Sequence, residues 1–376
     1  MAGNTNKNLS KANIAKNDEF YTQITDIEKE MKYYEDKFKG KHIFCNCDDP
    51  EFSNFWRYFA LNFDRLGLKR LTSTHYDEGV STYQMDMYKE VPSDAKNKKT
   101  FLTLEGMGIN LNLGYITPLE GDGDFRSDES IGILKECDIV VTNPPFSLFR
   151  EYVAQLMEYK KDFLIIGNQN AVTYKEIFPL IAEKRIWWGI SMNGSNRYFR
   201  VPDSYHLTEK TGKIENGEKF AFVKGVRWFT NLEHKKRHEN LILYKKYTSD
   251  DYPTYDNYNA IDVSQVSNIP EDYYGVMGVP ITFLDKYNPE QFDILGISKT
   301  WATNFEVKSN KKYTNALQYS QHGNVQSGNK VNDGAVIACE EKPTKGAYYT
   351  ADESELYLQQ KYARIFVKRK EQLNEN

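Results

Sequence analysis

Apolar residues in this chain follow two rhythms that alternate along its first two thirds. Short runs at His42–Cys47, Arg70–Thr74, Ile139–Thr142 and Phe163–Gly167 have the length of buried strands. Two more strands are expected, one ending near Leu119 and one at Ile186–Ile190. Between the runs, apolar positions recur at helical spacing. Phe52, Phe55, Trp56, Phe59, Phe63 and Leu66 form one such stripe, read as core packing. Leu148, Tyr152 and Leu156 form another, with Phe149, Val153 and Met157 beside it, in a helix from Ser147 to about Lys160. Ser147 suits its N-cap. Helices are also expected at Thr25–Phe38, Asp128–Lys135 and Thr173–Lys184. Strands alternating with helices predict an α/β chain with a mostly parallel sheet covered on both faces.

The rhythm changes in two places. Gly79–Leu113 is polar and irregular and reads as an insertion carrying a hairpin. Val226, Trp228 and Thr230 alternate within Val223–Thr230, as in one arm of an antiparallel pair. After about residue 235 the pattern weakens: Tyr, Asn and Asp dominate Tyr252–Tyr258, Gly and Ser recur near Gly323 and Gly328, and Tyr362–Val367 reads as a last strand. The chain therefore divides into an arm of residues 1–17, a core domain of residues 18–235 and a C-terminal region of residues 236–376.

Composition narrows the class. With 376 residues, 40% hydrophobic and 27% charged, the chain can bury a sizeable core. No apolar run reaches the ~20 residues of a membrane span, and the polar start lacks a signal-peptide core. Cys45, Cys47, Cys137 and Cys339 lack a metal-ligand spacing and read as thiols of a reducing cytoplasm, so no metal is expected. The net charge of -4 argues against a wholly basic nucleic-acid coat. Local patches remain candidates for phosphate: Lys7, Lys11 and Lys16, the run His234–His238, and Lys368-Arg369-Lys370. Its 27 Tyr suit either a base-stacking surface or a Tyr-rich core.

The strongest chemical signal is Asn143-Pro144-Pro145-Phe146, directly after the strand Ile139–Thr142. The prolines stiffen the turn and keep nearby carbonyls out of a helix. The Asn143 amide oxygen, beside backbone carbonyls near the turn, can help accept both protons of an exocyclic amine such as N6 of adenine. Phe146 offers a flat face to a base. The position, at the carboxyl end of a strand and before a helix, is where open α/β sheets bind ligands. Methylation of such an amine needs a donor beside it, and S-adenosylmethionine needs acidic, apolar and anion-holding contacts. Asp124-Phe125, Asp48-Asp49-Pro50 and Asp18–Thr22 offer them on loops of the same sheet edge. As helix N-terminal acids, Asp49 and Asp124 also have a purely structural reading.

These residues lie in longer matching stretches: Asp18–Gln23, Cys45–Pro50, Gly121–Ser127, Asp138–Arg150, Trp228–Leu232 and Asn257–Leu284. On them the chain resembles the EcoRI-type adenine-specific DNA methyltransferases, over most of residues 15–295. The resemblance implies a Rossmann-like class I S-adenosylmethionine-dependent methyltransferase fold in residues 18–235, with target-recognition elements in residues 236–376. It implies that Phe20, Tyr21 and Thr22 flank the methionine part of the cofactor, that Cys47 and Asp49 line the first cofactor loop, and that Asp124 and Phe125 hold the adenine. Asn143 and Pro144, in the turn completed by Pro145, would bind the target N6, with Phe146 stacked on the flipped base. Two departures stand out. The first loop lacks the glycines common in methyltransferases, and residues of about 297–355 lie outside the stretches that carry the resemblance and are candidates for setting sequence choice. The implied enzyme is a cytoplasmic, monomeric DNA methyltransferase. It acts on double-stranded DNA, either with a separately acting restriction endonuclease or alone. N4 of cytosine and the amide of a protein glutamine are the rival substrates for the same turn.

Overall fold

The computed structural model describes residues 21–51, 53–75, 82–93, 95, 98–99, 103–104, 109–110, 114–192, 197–201, 203, 207 and 211–371. The arm of residues 1–17, with Lys7, Lys11 and Lys16, lies outside them, as does Phe20. The chain forms two compact units. One holds the described residues up to Ala171 together with Ile186–His234; the other holds Val172–Arg185 and the chain from Lys235 onward.

The first unit is built on a nine-stranded sheet. Its strands are β1 (His42–Cys45), β2 (Arg70–His75), β3 (Tyr83–Tyr88), β4 (Lys98–Lys99), β5 (Gly114–Pro118), β6 (Ile139–Thr142), β7 (Asp162–Asn168), β8 (Trp187–Trp188) and, after a separate three-stranded sheet, β12 (Val226–Thr230). The separate sheet comprises β9 (Arg197–Val201), β10 (Gly212–Glu215) and β11 (Glu218–Val223). In space the large sheet runs β8-β12-β7-β6-β1-β2-β3-β5-β4. Neighbours β7, β6, β1 and β2 are parallel, and every other pairing is antiparallel. The expected mostly parallel sheet is thus a mixed one with a parallel centre. The segment read as an insertion supplies β3 and β4, and with β5 these add antiparallel strands, because short connections cannot cross over to a parallel neighbour.

Strand alternation divides the core between the two faces. Ile43, Cys45, Leu71, Ile139, Val141, Leu164, Ile166 and Trp228 share one buried cluster with the helices α1 (Ile24–Met31), α2 (Glu35–Phe38), α3 (Asn54–Leu61) and α4 (Phe63–Leu66). The aromatic stripe from Phe55 to Leu66 is core, as its spacing predicts, although its one expected helix is divided into α3 and α4; Phe52 lies outside the described residues. The single helix expected over Thr25–Phe38 is broken at Lys32–Tyr34 into α1 and α2. Buried Tyr34 donates to buried Glu30 at 3.1 Å there. On the other face, Phe149 of α6 (Phe149–Glu158) packs edge-on against Phe229 of β12 at 4.9 Å. The remaining helix of this unit, α5 (Asp128–Glu136), is capped by Ser127, whose hydroxyl accepts the Ser130 N–H at 3.1 Å.

The chain leaves β1 for β2 on one side and returns to β6 on the other. The crevice between the carboxyl ends of β1 and β6 is therefore a topological switch point, where open α/β sheets bind ligands.

The second unit holds the short helix α7 (Phe178–Ala182), where a longer Thr173–Lys184 helix was expected. Pro179 sits in its first turn, and the preceding residues form separate turns. Beyond residue 235, where the sequence pattern weakens, the chain makes two further sheets. β13 (Ile261–Asp262), β14 (Met277–Pro280), β21 (Arg364–Arg369) and β15 (Phe292–Ile297) form one, in that order. β17 (Val325–Ser327), β16 (Leu317–Tyr319), β19 (Tyr348–Ala351), β20 (Ser354–Gln360) and β18 (Val336–Cys339) form the other. Much of the Tyr content is core here: Tyr252, Tyr255, Tyr258, Tyr287, Tyr313, Tyr348 and Tyr349 are all buried. No helix among the described residues is long and apolar enough to cross a membrane.

Candidate active site

The Asn143 turn leaves the carboxyl end of β6 as expected, but the helix after it starts later. Phe146–Leu148 forms a 3-10 turn, closed by the Leu148 N–H on the Pro145 carbonyl at 3.0 Å, and α6 begins at Phe149. Ser147 is exposed within that turn and does not cap the helix; no side chain does. The prolines explain the delay, because neither can donate to an earlier carbonyl. Pro144 is buried, and its carbonyl receives no hydrogen bond from the described residues. Phe146 is half-buried, packed on the edge of the first core cluster.

Asp48 ties this turn to the loop after β1. Its carboxylate accepts the Ser53 hydroxyl at 2.8 Å, the Thr142 hydroxyl and the backbone N–H of Asn143. The Thr142 hydroxyl also accepts the Cys47 N–H at 3.2 Å. The Ser73 hydroxyl, on β2, reaches the carbonyls of Cys45 and Asp48. Burial pushes the Asp48 carboxyl up to about 6, against the pull of its three donors, with the neighbouring Asp49 charge adding to the rise.

Asp49 turns the other way. It pairs with His75 Nδ1 at 2.7 Å and accepts the Glu51 N–H at 2.8 Å, and the His75 ring stacks on Tyr83 at 5.0 Å. Burial, reinforced by the negative charges of Asp48 and Asp124, holds the Cys47 thiol well above its usual range and therefore neutral.

The third loop meets the other two at Tyr152 of α6. The Phe125 ring, 4% exposed, stands edge-on to Tyr152 at 5.0 Å, and the Tyr152 hydroxyl donates to Asn46 Oδ1. Gln155, one turn further on, donates to the Phe125 carbonyl at 3.0 Å. Asp124 is clamped by Arg126 through Nε at 2.8 Å and Nη2 at 2.7 Å. Tyr21 forms a backbone bridge with Arg200, and the Thr22 carbonyl accepts Asn54 Nδ2 at 2.7 Å at the start of α3.

Loops carrying Cys47, Asp124, Phe125 and Asn143 thus come together through Asp48 and Tyr152, and Asn54 links Thr22 to the helix that follows the first of them. Sequence reasoning had singled out neither Thr142, Tyr152, Asn46 nor Ser53. Tyr152 was read only as a member of a core stripe, and Thr142 only as the end of a strand; a hydroxyl closing an apolar strand beside Asn143 was the available signal. Near this network the buried Asn46 Nδ2, Thr22 Oγ1 and Gln155 Oε1 have no hydrogen-bond partner among the described residues. Orphans of this kind are uncommon in a finished core and suit a site that takes a polar ligand. Among the described residues no group of three or more His, Cys, Asp or Glu could hold a metal ion.

The charge runs are less free than their sequence suggests. Arg237 is buried, and His238 meets Glu290 at 3.0 Å. Arg369 donates to the Glu271 carbonyl, and Lys370 meets Asp293 at 3.1 Å.

An α/β sheet carrying Asn-Pro-Pro-Phe at the carboxyl end of a parallel strand places this protein among the methyltransferases that act on amino groups. The chain belongs to the EcoRI family of adenine-specific methyltransferases, whose family model matches residues 8–370. It is 48% identical over 309 residues to the Type II methyltransferase M.EcoRI of Escherichia coli, covering 80% of this chain and 92% of that one. It is 38% identical over 325 residues to the Type II methyltransferase M.MpnI of Mycoplasma pneumoniae, covering 85% and 93%. The Type II methyltransferase M.MgeORF184P of Mycoplasma genitalium is 37% identical over 327 residues, covering 85% and 94%. No solved structure matches it. The protein is accordingly a DNA adenine methyltransferase of the restriction-modification type, and it requires a methyl donor.

Proposed function

We propose that the crevice between β1 and β6 binds S-adenosylmethionine and one flipped-out adenine of double-stranded DNA, in a Rossmann-like class I methyltransferase fold. The observation that carries this reading is the Asn143 turn, held at the switch point, where the Pro144 carbonyl receives no donor from the described residues. Asn143 and Pro144 accept the two N6 protons, and Phe146 stacks on the flipped base. Neutral N6 is a poor nucleophile because its lone pair is delocalised into the ring. Two acceptors on its protons favour a pyramidal nitrogen with the lone pair turned outward. When bound, the cofactor supplies an electrophilic methyl on sulfur. Pro145 keeps the turn rigid, so alignment contributes much of the acceleration.

The cofactor loops follow the same reading. Tyr21 and Thr22, with Phe20 before them, flank the methionine part, and the orphaned Thr22 hydroxyl and Asn46 amide supply polar contacts there. Cys47, kept neutral, lines the crevice without competing as a nucleophile, and Asp49 lies beside it. Asp124 offers a carboxylate to the adenosine, while Phe125 acts from beneath, bracing the loop against Tyr152. Residues 236–376 read the DNA sequence, with residues 297–355 contributing to its choice. The enzyme works as a cytoplasmic monomer, and a cognate endonuclease acts on the same DNA separately.

The test is single-molecule sequencing of DNA from a methylation-free host that expresses the chain, with Asn143→Ala as control. N6-methyladenine at one short motif, lost in the control, is the expected result. Losing one preorganised polar contact of this kind costs about 100-fold or more in turnover. Modified cytosine, or full adenine methylation by the control, would overturn the reading.

A further inference from the structure

We propose that Asp48 is the positioning residue of the methyl-transfer site, holding the Thr142–Asn143 backbone so that the Asn143 amide and the Pro144 carbonyl face one point. The proposal rests on the reading of Asn143 as the group that binds the target amine. Asp48 itself touches no reacting atom.

The geometry is that of a strut. Asp48 leaves β1 and receives the last residue of β6 and the first of the turn, Thr142 through its hydroxyl and Asn143 through its N–H. Its other oxygen is fixed by Ser53, which also caps α3 by accepting the Phe55 N–H at 3.0 Å. One carboxylate thus links the strand on each side of the switch point to the helix behind it. A hydrophobic contact would hold the loops together as well, but it would not fix the rotation of the Asn143 peptide. Three donors converging on two oxygens do fix it.

Such a strut works best as a carboxylate, because a protonated acid is a weaker acceptor and must place its own proton among three donors. Burial places its titration at about 6, within reach of a kinetic experiment. The strut is intact above that pH and is lost below it, so turnover falls on the acid side. The groups facing Asp48 do not supply the same limb. The thiols of Cys45 and Cys47 and the Tyr152 phenol are all pushed well above their usual range by burial and stay neutral there. Further out, among the described residues, Asp49 faces His75 and Tyr83, and Asp124 is clamped by Arg126. His75 is bound to Asp49, and its replacement serves as the control for that pair.

The experiment compares the full chain with Asp48→Asn, Thr142→Val, Thr142→Ser, His75→Gln and Asn143→Ala. The readouts are kcat for DNA methylation from pH 5 to 8.5, affinity for S-adenosylmethionine, and thermal unfolding. Asp48→Asn is expected to lower kcat about 100-fold, the scale of a 1 Å misplacement, with cofactor affinity within about threefold of the parent. Its remaining rate loses the acid limb, while His75→Gln keeps that limb. Thr142→Val follows Asp48→Asn in direction, and Thr142→Ser, which keeps the hydroxyl, recovers most of the rate. Thr142→Val is close to isosteric, so it carries the test if Asp48→Asn does not fold. An inactive Asn143→Ala beside an Asp48→Asn of near-parental rate and unchanged acid limb would overturn the strut. An active Asn143→Ala would instead overturn the reading it rests on.

Discussion

Gly167 is where the turn is most exposed to a change made outside it. A Cβ built there lies 2.4 Å from Phe149 Cε2, 2.8 Å from Cζ and 3.0 Å from Cδ2. Ordinary contact begins near 3.4 Å, so in Gly167→Ala the ring must retreat by about 1 Å. It has little room, since Phe149 is 2% exposed and lies against Phe229. Overpacking of this kind costs about 1–3 kcal/mol. Phe149 is also the first residue of α6, three positions after Phe146, so the displacement reaches the Asn143 turn and lowers kcat more than cofactor affinity. The assay is urea unfolding followed by circular dichroism, with the shift in midpoint read at constant slope. Phe149→Leu removes the obstructing ring edge and by itself costs roughly 1–2 kcal/mol. Combined with Gly167→Ala, it restores part of the loss, giving a coupling of about 1 kcal/mol or more. A Gly167→Ala protein within about 0.5 kcal/mol of the parent, or strict additivity in the double variant, would refute the steric argument.

Three further outcomes follow from other parts of the molecule. Glu30 is buried and accepts the N–H groups of Ile190 at 2.8 Å and Ser191 at 2.6 Å, so Glu30→Ala should cost about 2–4 kcal/mol, read by the same unfolding assay. Arg364 meets Asp262 at 3.0 Å with both side chains nearly buried, and Tyr255 donates to the same carboxylate. Arg364→Ala leaves that charge unpaired and should destabilise the second unit by about 3–5 kcal/mol, visible as an earlier, separate unfolding transition. His42 is held at about 4 by burial and then by Arg70, well below the 6.5 usual for a histidine. A base depressed on folding binds its proton more readily when unfolded. It therefore contributes stability above about 6.5 that is lost as pH falls toward 4, worth about 3 kcal/mol. His42→Gln should flatten the stability profile in that window; a profile unchanged by the substitution would show that other groups set it.

How much could be read from the sequence depended on how local each cause is. Asn143-Pro144-Pro145-Phe146 was legible because its stiffness and its acceptors sit within four consecutive residues. The stripe from Phe55 to Leu66 was legible because helical periodicity is a property of neighbours. The fixing of α1 by Glu30 was not, because Glu30 reaches Ile190 and Ser191, 160 and 161 positions away in sequence. The β12 flank was legible as antiparallel from its alternation, but the flank made by β3, β5 and β4 escaped for a similar reason. Nothing in Tyr83–Tyr88 says that its partners are Arg70–His75 and Gly114–Pro118. Beyond residue 235, Tyr, Gln and Thr stand in strands where periodicity looks for Val and Ile, and tertiary contacts supply what the local pattern lacks.

The same distinction explains why the chemistry was easier to find than its support. Groups that touch a reacting amine must be of particular kinds, and few tetrapeptides offer two acceptors and a ring on a rigid turn. Groups that hold those in place need only a donor, an acceptor and a fixed backbone, which any Ser, Thr, Asp or Tyr provides. Asp48, Thr142, Ser53 and Tyr152 are common residues whose role comes from meeting at one switch point, and that meeting is decided by the order β7-β6-β1-β2 rather than by any local motif. Asp48 stands one residue from Asp49, yet one carboxylate turns inward to the Asn143 backbone and the other outward to His75. Adjacent positions of identical type therefore carry different work, and the choice between them belongs to the topology.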